Sequence, residues 1–117
     1  MTAPGAAVHS LPTTTAFDLP GARVVDSRGA CFGLVVRSMG MVKGLGAAFK
    51  AMRQGEVSQY TELLEDSRRH AIDRMVDNAV LLGGNAIIGM RFDSSEIGQS
   101  LTEIVAYGTA VVVEFDA

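Results

Sequence analysis

The stretch SQYTELLEDSRRHAIDRMVDNAVLLGGNAIIGMRFD, residues 58–93, decides the fold, because its hydrophobic period changes part-way along. Tyr60, Leu64, Ala71, Met75 and Leu82 recur at helical spacing, with Ile72 and Ala79 beside them. That spacing predicts a helix from about Val57 to Leu82. Ser58 suits its N-cap, since a hydroxyl accepts from an orphan backbone N–H. Glu62 and Glu65 lie near the positive end of the helix dipole. Gly83-Gly84-Asn85 ends it, because glycine takes the left-handed cap conformation without strain. From Ala86 the period falls to two. Ala86, Ile88, Met90 and Phe92 alternate onto one face and predict a strand over Ala86–Asp93.

Downstream, residues 93–100 read as a polar loop containing Gly98. Thr102–Phe115 reads as a long strand, with Val105, Tyr107, Val111, Val113 and Phe115 on one face. Gly108 in its middle marks a bulge or a close backbone approach. Upstream, Thr13–Phe17 suits a short strand and Pro20-Gly21 a turn. Ala22–Asp26 is another strand, and Ser27-Arg28-Gly29 a tight turn in which Gly29 takes positive φ. Cys31–Ser38 resumes as a strand, with Phe32, Leu34 and Val36 on one face and Cys31, Gly33 and Val35 on the other. Both faces are apolar, so cover is expected on both sides. Residues 39–55 hold four glycines around Leu45, Ala48, Phe49 and Met52, whose spacing suggests a short helix carried by a loop. The coarse order is β-β-α-β-β, an α+β chain. Residues 1–12 are expected as a flexible tail and 13–117 as a single domain.

At 117 residues one domain is the natural reading. Hydrophobic residues at 48% exclude wholesale disorder, whereas 6% aromatics and no Trp leave the core to aliphatic side chains. That is thin material for a monomer, and burial between subunits would supplement it. Element lengths point the same way. A 26-residue helix runs roughly 39 Å and a 14-residue strand roughly 46 Å. A globule of this size has a radius of gyration of only about 13 Å. A long apolar strand left at an open edge also invites pairing.

The net charge of −3 and the absence of a dense basic run argue against nucleic acid. The stretch from Ala79 to Met90 is too short and too broken by glycine to cross a bilayer. The first residues carry no basic charge and lead into no long apolar run, so no signal peptide is expected and the cytoplasm is the expected location.

The run Tyr60, Leu64, Arg68, Ala71, Met75, Ala79, followed by Leu82-Gly83-Gly84-Asn85-Ala86-Ile87-Ile88-Gly89-Met90-Arg91-Phe92-Asp93, resembles the YbjQ-like family, which has been labelled a heavy-metal-binding domain. The resemblance takes in Thr14-Thr15, Gly33-Leu34-Val35-Val36-Arg37 and Tyr107-Gly108-Thr109-Ala110-Val111, and covers roughly residues 13–115. It implies a β-α-β-β core, with a three-stranded antiparallel sheet and one long helix. It further implies a ring-shaped homopentamer, with extra short strands pairing between subunits. No catalytic activity comes with it. Gly84 stands where many members carry Ala.

For a metal, Glu62, Asp66, His70, Asp73 and Asp77 run along one side of the helix, and Asp66 and His70 at i, i+4 could share an ion. Arg69 and Arg74 interleave and compete for those carboxylates. The plain alternative is a solvated charged face. Cys31, the sole cysteine, is a soft ligand, a reactive thiol or a small hydrophobe in an apolar strand. Met39 and Met41 resemble part of a copper(I) site or are packing residues. Gly40–Gly46 could cradle an anion, yet no Gly-Lys-Ser/Thr follows, so it is not a Walker loop. No serine sits in an elbow motif, and nothing brings His70 to Cys31. The residues therefore predict a non-enzymatic homo-oligomeric assembly or binding module without a committed cofactor. The alternatives are a protein binding a divalent or soft metal through Asp66, His70 and Cys31, and a small-molecule or anion binder at a subunit interface.

Overall fold

The computed structural model describes residues 10–38, 58–98 and 101–116. Strand β1 (Ala22–Ser38) leads, after a gap in the described residues, to helix α1 (Ser58–Leu81), then to β2 (Ala86–Gly98) and β3 (Leu101–Phe115). The strands form one antiparallel sheet in the order β1-β3-β2, with the helix on one face. This is the α+β arrangement expected. Met39, Met41, the Gly40–Gly46 loop and the helical turn around Leu45–Met52 lie outside the described residues.

Helix α1 ends as the glycines require. Gly83 N–H donates to Val80 O at 2.9 Å and Gly84 N–H to Ala79 O at 3.0 Å, with Gly83 at φ 88°. These two bonds are the Schellman closure, which satisfies carbonyls the helix leaves over. Asn85 then joins the sheet before β2 begins. Its backbone N–H donates to Val111 O, its side-chain amide donates to Val113 O at 3.0 Å, and its Oδ1 accepts from Val113 N–H at 2.8 Å.

Three expectations need correction. Ser27-Arg28-Gly29 is not a turn between two strands. β1 runs through it with register shifts at Val24/Asp26 and Ser27/Gly29, and Gly29 takes φ 89° within the irregularity. β3 is long enough to pair with both halves, so the chain bulges instead of reversing. The polar run after Asp93 is not a loop either. β2 continues to Gly98, and Asp93 to Glu96 pair with Val105 to Thr102. Finally, Ala86, Ile88, Met90 and Phe92 do not share a face. A register shift between Ile88 and Arg91 adds one residue, and one residue moves every later side chain to the other face. Ala86 and Ile88 pack with Val111 and Val113, whereas Ile87, Met90 and Phe92 face the helix.

The main core lies between helix and sheet. Ala71, Met75, Val76 and Ala79 of α1 meet Cys31, Ile87, Met90, Ile104, Ala106 and Ala110 of the strands. Small residues on β3 let the helix lie close. At Gly33 an added Cβ would sit 2.1 Å from Ala71 O and 2.4 Å from Met75 N. The other face is covered at one end by residues 10–21, where Leu19 packs on Ala86, Val111 and Val113. This segment also closes the β2 edge: Thr14 N–H donates to Ile87 O, and Pro12 O and Thr14 O accept from Ile87 and Met90 N–H. The expected short strand at Thr13 is therefore one parallel bridge to Ile87. Leu11 packs on the core, so the expected tail boundary at residue 12 falls within the docked segment.

Candidate functional site

Alternation along β1 sends Cys31, Gly33, Val35 and Arg37 towards the helix and Phe32, Leu34 and Val36 away from it. The register places Phe32 opposite Tyr107, Leu34 opposite Val105, and Val36 opposite Glu103. On the far side of β3, Arg91 pairs with Tyr107 and Asp93 with Val105. The result is an apolar patch with a polar rim along β2. It is open: Phe32 is 59% exposed, Leu34 39%, Val36 47% and Tyr107 42%. The expected cover over this face of β1 is not supplied by the chain's described residues. The reason is topological. The one helix among the described residues can shield one face, and the 10–21 segment reaches only the end near Val111 and Val113. A contiguous apolar surface with a polar rim marks an interaction site.

A second arrangement lies where β1 ends against α1. The Arg37 guanidinium donates from Nε to Ser67 Oγ at 3.0 Å and from Nη2 to His70 Nδ1. Ser67 is wholly buried and donates to Leu63 O at 2.8 Å. An arginine N–H can only donate, so His70 Nδ1 accepts and carries no proton. Neither Ser67 nor the Arg37 contact emerged from sequence reasoning. The available signal was parity: Arg37 is a charged residue at a helix-facing position of an apolar strand.

Among the described residues the sequence-derived metal candidates Asp66, His70 and Cys31 do not converge as a group of three. Asp66 is held by Arg69 at 3.0 Å, and Glu65 by the same guanidinium at 3.3 Å. His70 faces Arg37 through one ring nitrogen. Cys31 is fully buried in the aliphatic core, and that burial pushes its thiol pKa up, against weaker lowering by backbone hydrogen bonds. Cysteine ligates a metal as the thiolate, the form burial disfavours. Among the described residues no group of three or more His, Cys, Asp or Glu converges. Asp73 Oδ2 and Asp77 Oδ1 are shut from solvent without a hydrogen-bond partner. The described residues of one chain do not by themselves assemble a heavy-metal centre.

A family model described as "Putative heavy-metal-binding" (YbjQ_1) matches residues 11–114. The chain belongs to this family. Relatives run through bacteria and archaea. A UPF0145 protein of Bradyrhizobium is 50% identical over 105 residues, covering 90% of this chain and 95% of the relative. Another from Sulfurisphaera tokodaii is 46% identical, covering 86% and 88%. A crystal structure of a protein of unknown function in the DUF74 family, from Pediococcus pentosaceus, superposes with a TM-score of 0.55. It covers 89% of this chain and 98% of that one at 13% identity, so it supports the fold alone. The YbjQ-like family's three-stranded sheet and single long helix are both present here. None of the described helices is long and apolar enough to cross a membrane.

Proposed function

We propose that this YbjQ-like chain is a non-catalytic, self-assembling module of the cytoplasm, and that copies of itself cover its open sheet face. The observation that carries the reading is the apolar patch of Phe32, Leu34, Val36 and Tyr107, exposed along the middle of the sheet. Element lengths support it: α1 has 24 residues and β3 has 15, roughly 36 Å and 50 Å. The pentameric ring implied by the family resemblance is the expected stoichiometry, with strand pairing between subunits. A metal role through Asp66, His70 and Cys31 has no group of three converging donors among the described residues to support it.

Native mass spectrometry on protein purified without chelator tests this directly. A multimer of one defined size, unchanged by added chelator, is the expected result. A monomer at micromolar concentration would defeat the proposal.

A further inference from the structure

Arg37 is a half-buried cation with neutral partners. Ser67 Oγ and the unprotonated His70 Nδ1 accept two of its hydrogen bonds. The ion pairs among the described residues are Arg23–Glu114, Arg28–Asp26 and Arg69 with Glu65 and Asp66; none includes Arg37. Removing a guanidinium partly from water is unfavourable unless an anion compensates it. Burial of Ser67 and the packing of Val35 fix the arginine's base, so its remaining N–H groups are pre-oriented. A guanidinium fork presents paired N–H groups matched to the oxygens of an oxyanion.

We propose that Arg37, held by Ser67 and His70 between β1 and α1, binds a small tetrahedral oxyanion: inorganic phosphate or a phosphate monoester. The other charged groups within a helical turn of His70 are Asp66, Arg68, Arg69, Asp73 and Arg74 on α1, and Asp66 is already held by Arg69. The inference stands apart from the assembly proposal, because the open face lies on the opposite side of the sheet.

Thermal unfolding of the full chain, titrated with phosphate and with sulfate against sodium chloride at matched ionic strength, tests it. The expected result is stabilisation that saturates with either oxyanion and not with chloride. Arg37→Gln should abolish saturation. His70→Gln, which retains an acceptor for Arg37, should still bind sulfate with saturation. Saturation unchanged in Arg37→Gln, or a response no different from chloride in the parent, overturns the proposal. Should Arg37→Gln fail to fold, Arg37→Lys, which keeps the charge and loses the fork, takes its place, and sulfate affinity equal to the parent's in that variant overturns the proposal instead.

Discussion

Gly33 is the residue on which the two layers close. A methyl group there meets Ala71 O and Met75 N, both backbone atoms of α1, which cannot rotate aside. Gly33→Ala should therefore lower stability by about 3 kcal/mol, because overpacking against a helix backbone forces the helix off the sheet. A urea titration measures it; an unchanged midpoint would mean that α1 does not rest on β1 at this point. Cys31, two residues earlier, allows a sign to be worked out. Its thiol pKa is raised above 9.0 by burial. Below 9.0 the folded and unfolded chains both keep the proton, and the contribution is whole. As pH rises beyond that value the unfolded chain loses its proton first, and stability drains towards the folded pKa. The alkaline decline should be shallower in Cys31→Ala than in the parent, by up to about 1.4 kcal/mol per pH unit. Parallel pH profiles would contradict the burial. Sequence reasoning foresaw close packing at Gly108, where an added Cβ would lie 2.9 Å from Ile87 Cγ2. It did not foresee the tighter contact at Gly33, because a glycine in an apolar strand carries no mark of what lies across from it.

At the scale of elements, the junction between α1 and β2 makes the sharpest case. Asn85 pairs with Val113 through both polar atoms of its amide, in the manner of one more strand residue. Asn85→Ala strands a strand N–H and a carbonyl together, which should cost about 1–3 kcal/mol. It should also speed hydrogen exchange at the Val113 amide well beyond that at Ala106, in the middle of the same strand. Equal acceleration at both would show general loosening instead. The helix and its glycine stop were legible because period 3.6 and a Gly-Gly-Asn cap are local signals. The strands were legible in kind and not in extent. Arg28 and Gly29 look like a turn locally, and only the length of β3 opposite them makes them a bulge. Ser94, Ser95 and Glu96 look like a loop, and only their pairing with Ile104, Glu103 and Thr102 makes them strand. The face flip after Ile88 was invisible for the same reason: an inserted residue shows itself only against a partner.

For the whole molecule, the two-sided apolar pattern of Cys31–Ser38 called for cover on both faces, and the described chain supplies one. The Arg37 contact on the covered face lay hidden in the sequence, since Ser67 and His70 are 30 and 33 residues away. The open face was legible in its composition and not in its lack of a cover, which depends on where the helix goes. If a second copy fills it, stability of the chain and stability of the assembly should part company on mutation. Phe32 is 59% exposed in the single chain, so Phe32→Glu should change the unfolding of a dissociated chain by less than about 0.5 kcal/mol. In the assembly the same carboxylate would be buried against Tyr107 and whatever lies over it, a cost of several kcal/mol per site. Sedimentation velocity across a concentration series should then show the parent as one large species and Phe32→Glu as smaller ones. Arg23→Ala, at the exposed Arg23–Glu114 pair far along β1, is the control and should sediment like the parent. If Phe32→Glu also sediments like the parent, the open face does not join subunits and the patch must serve a different partner.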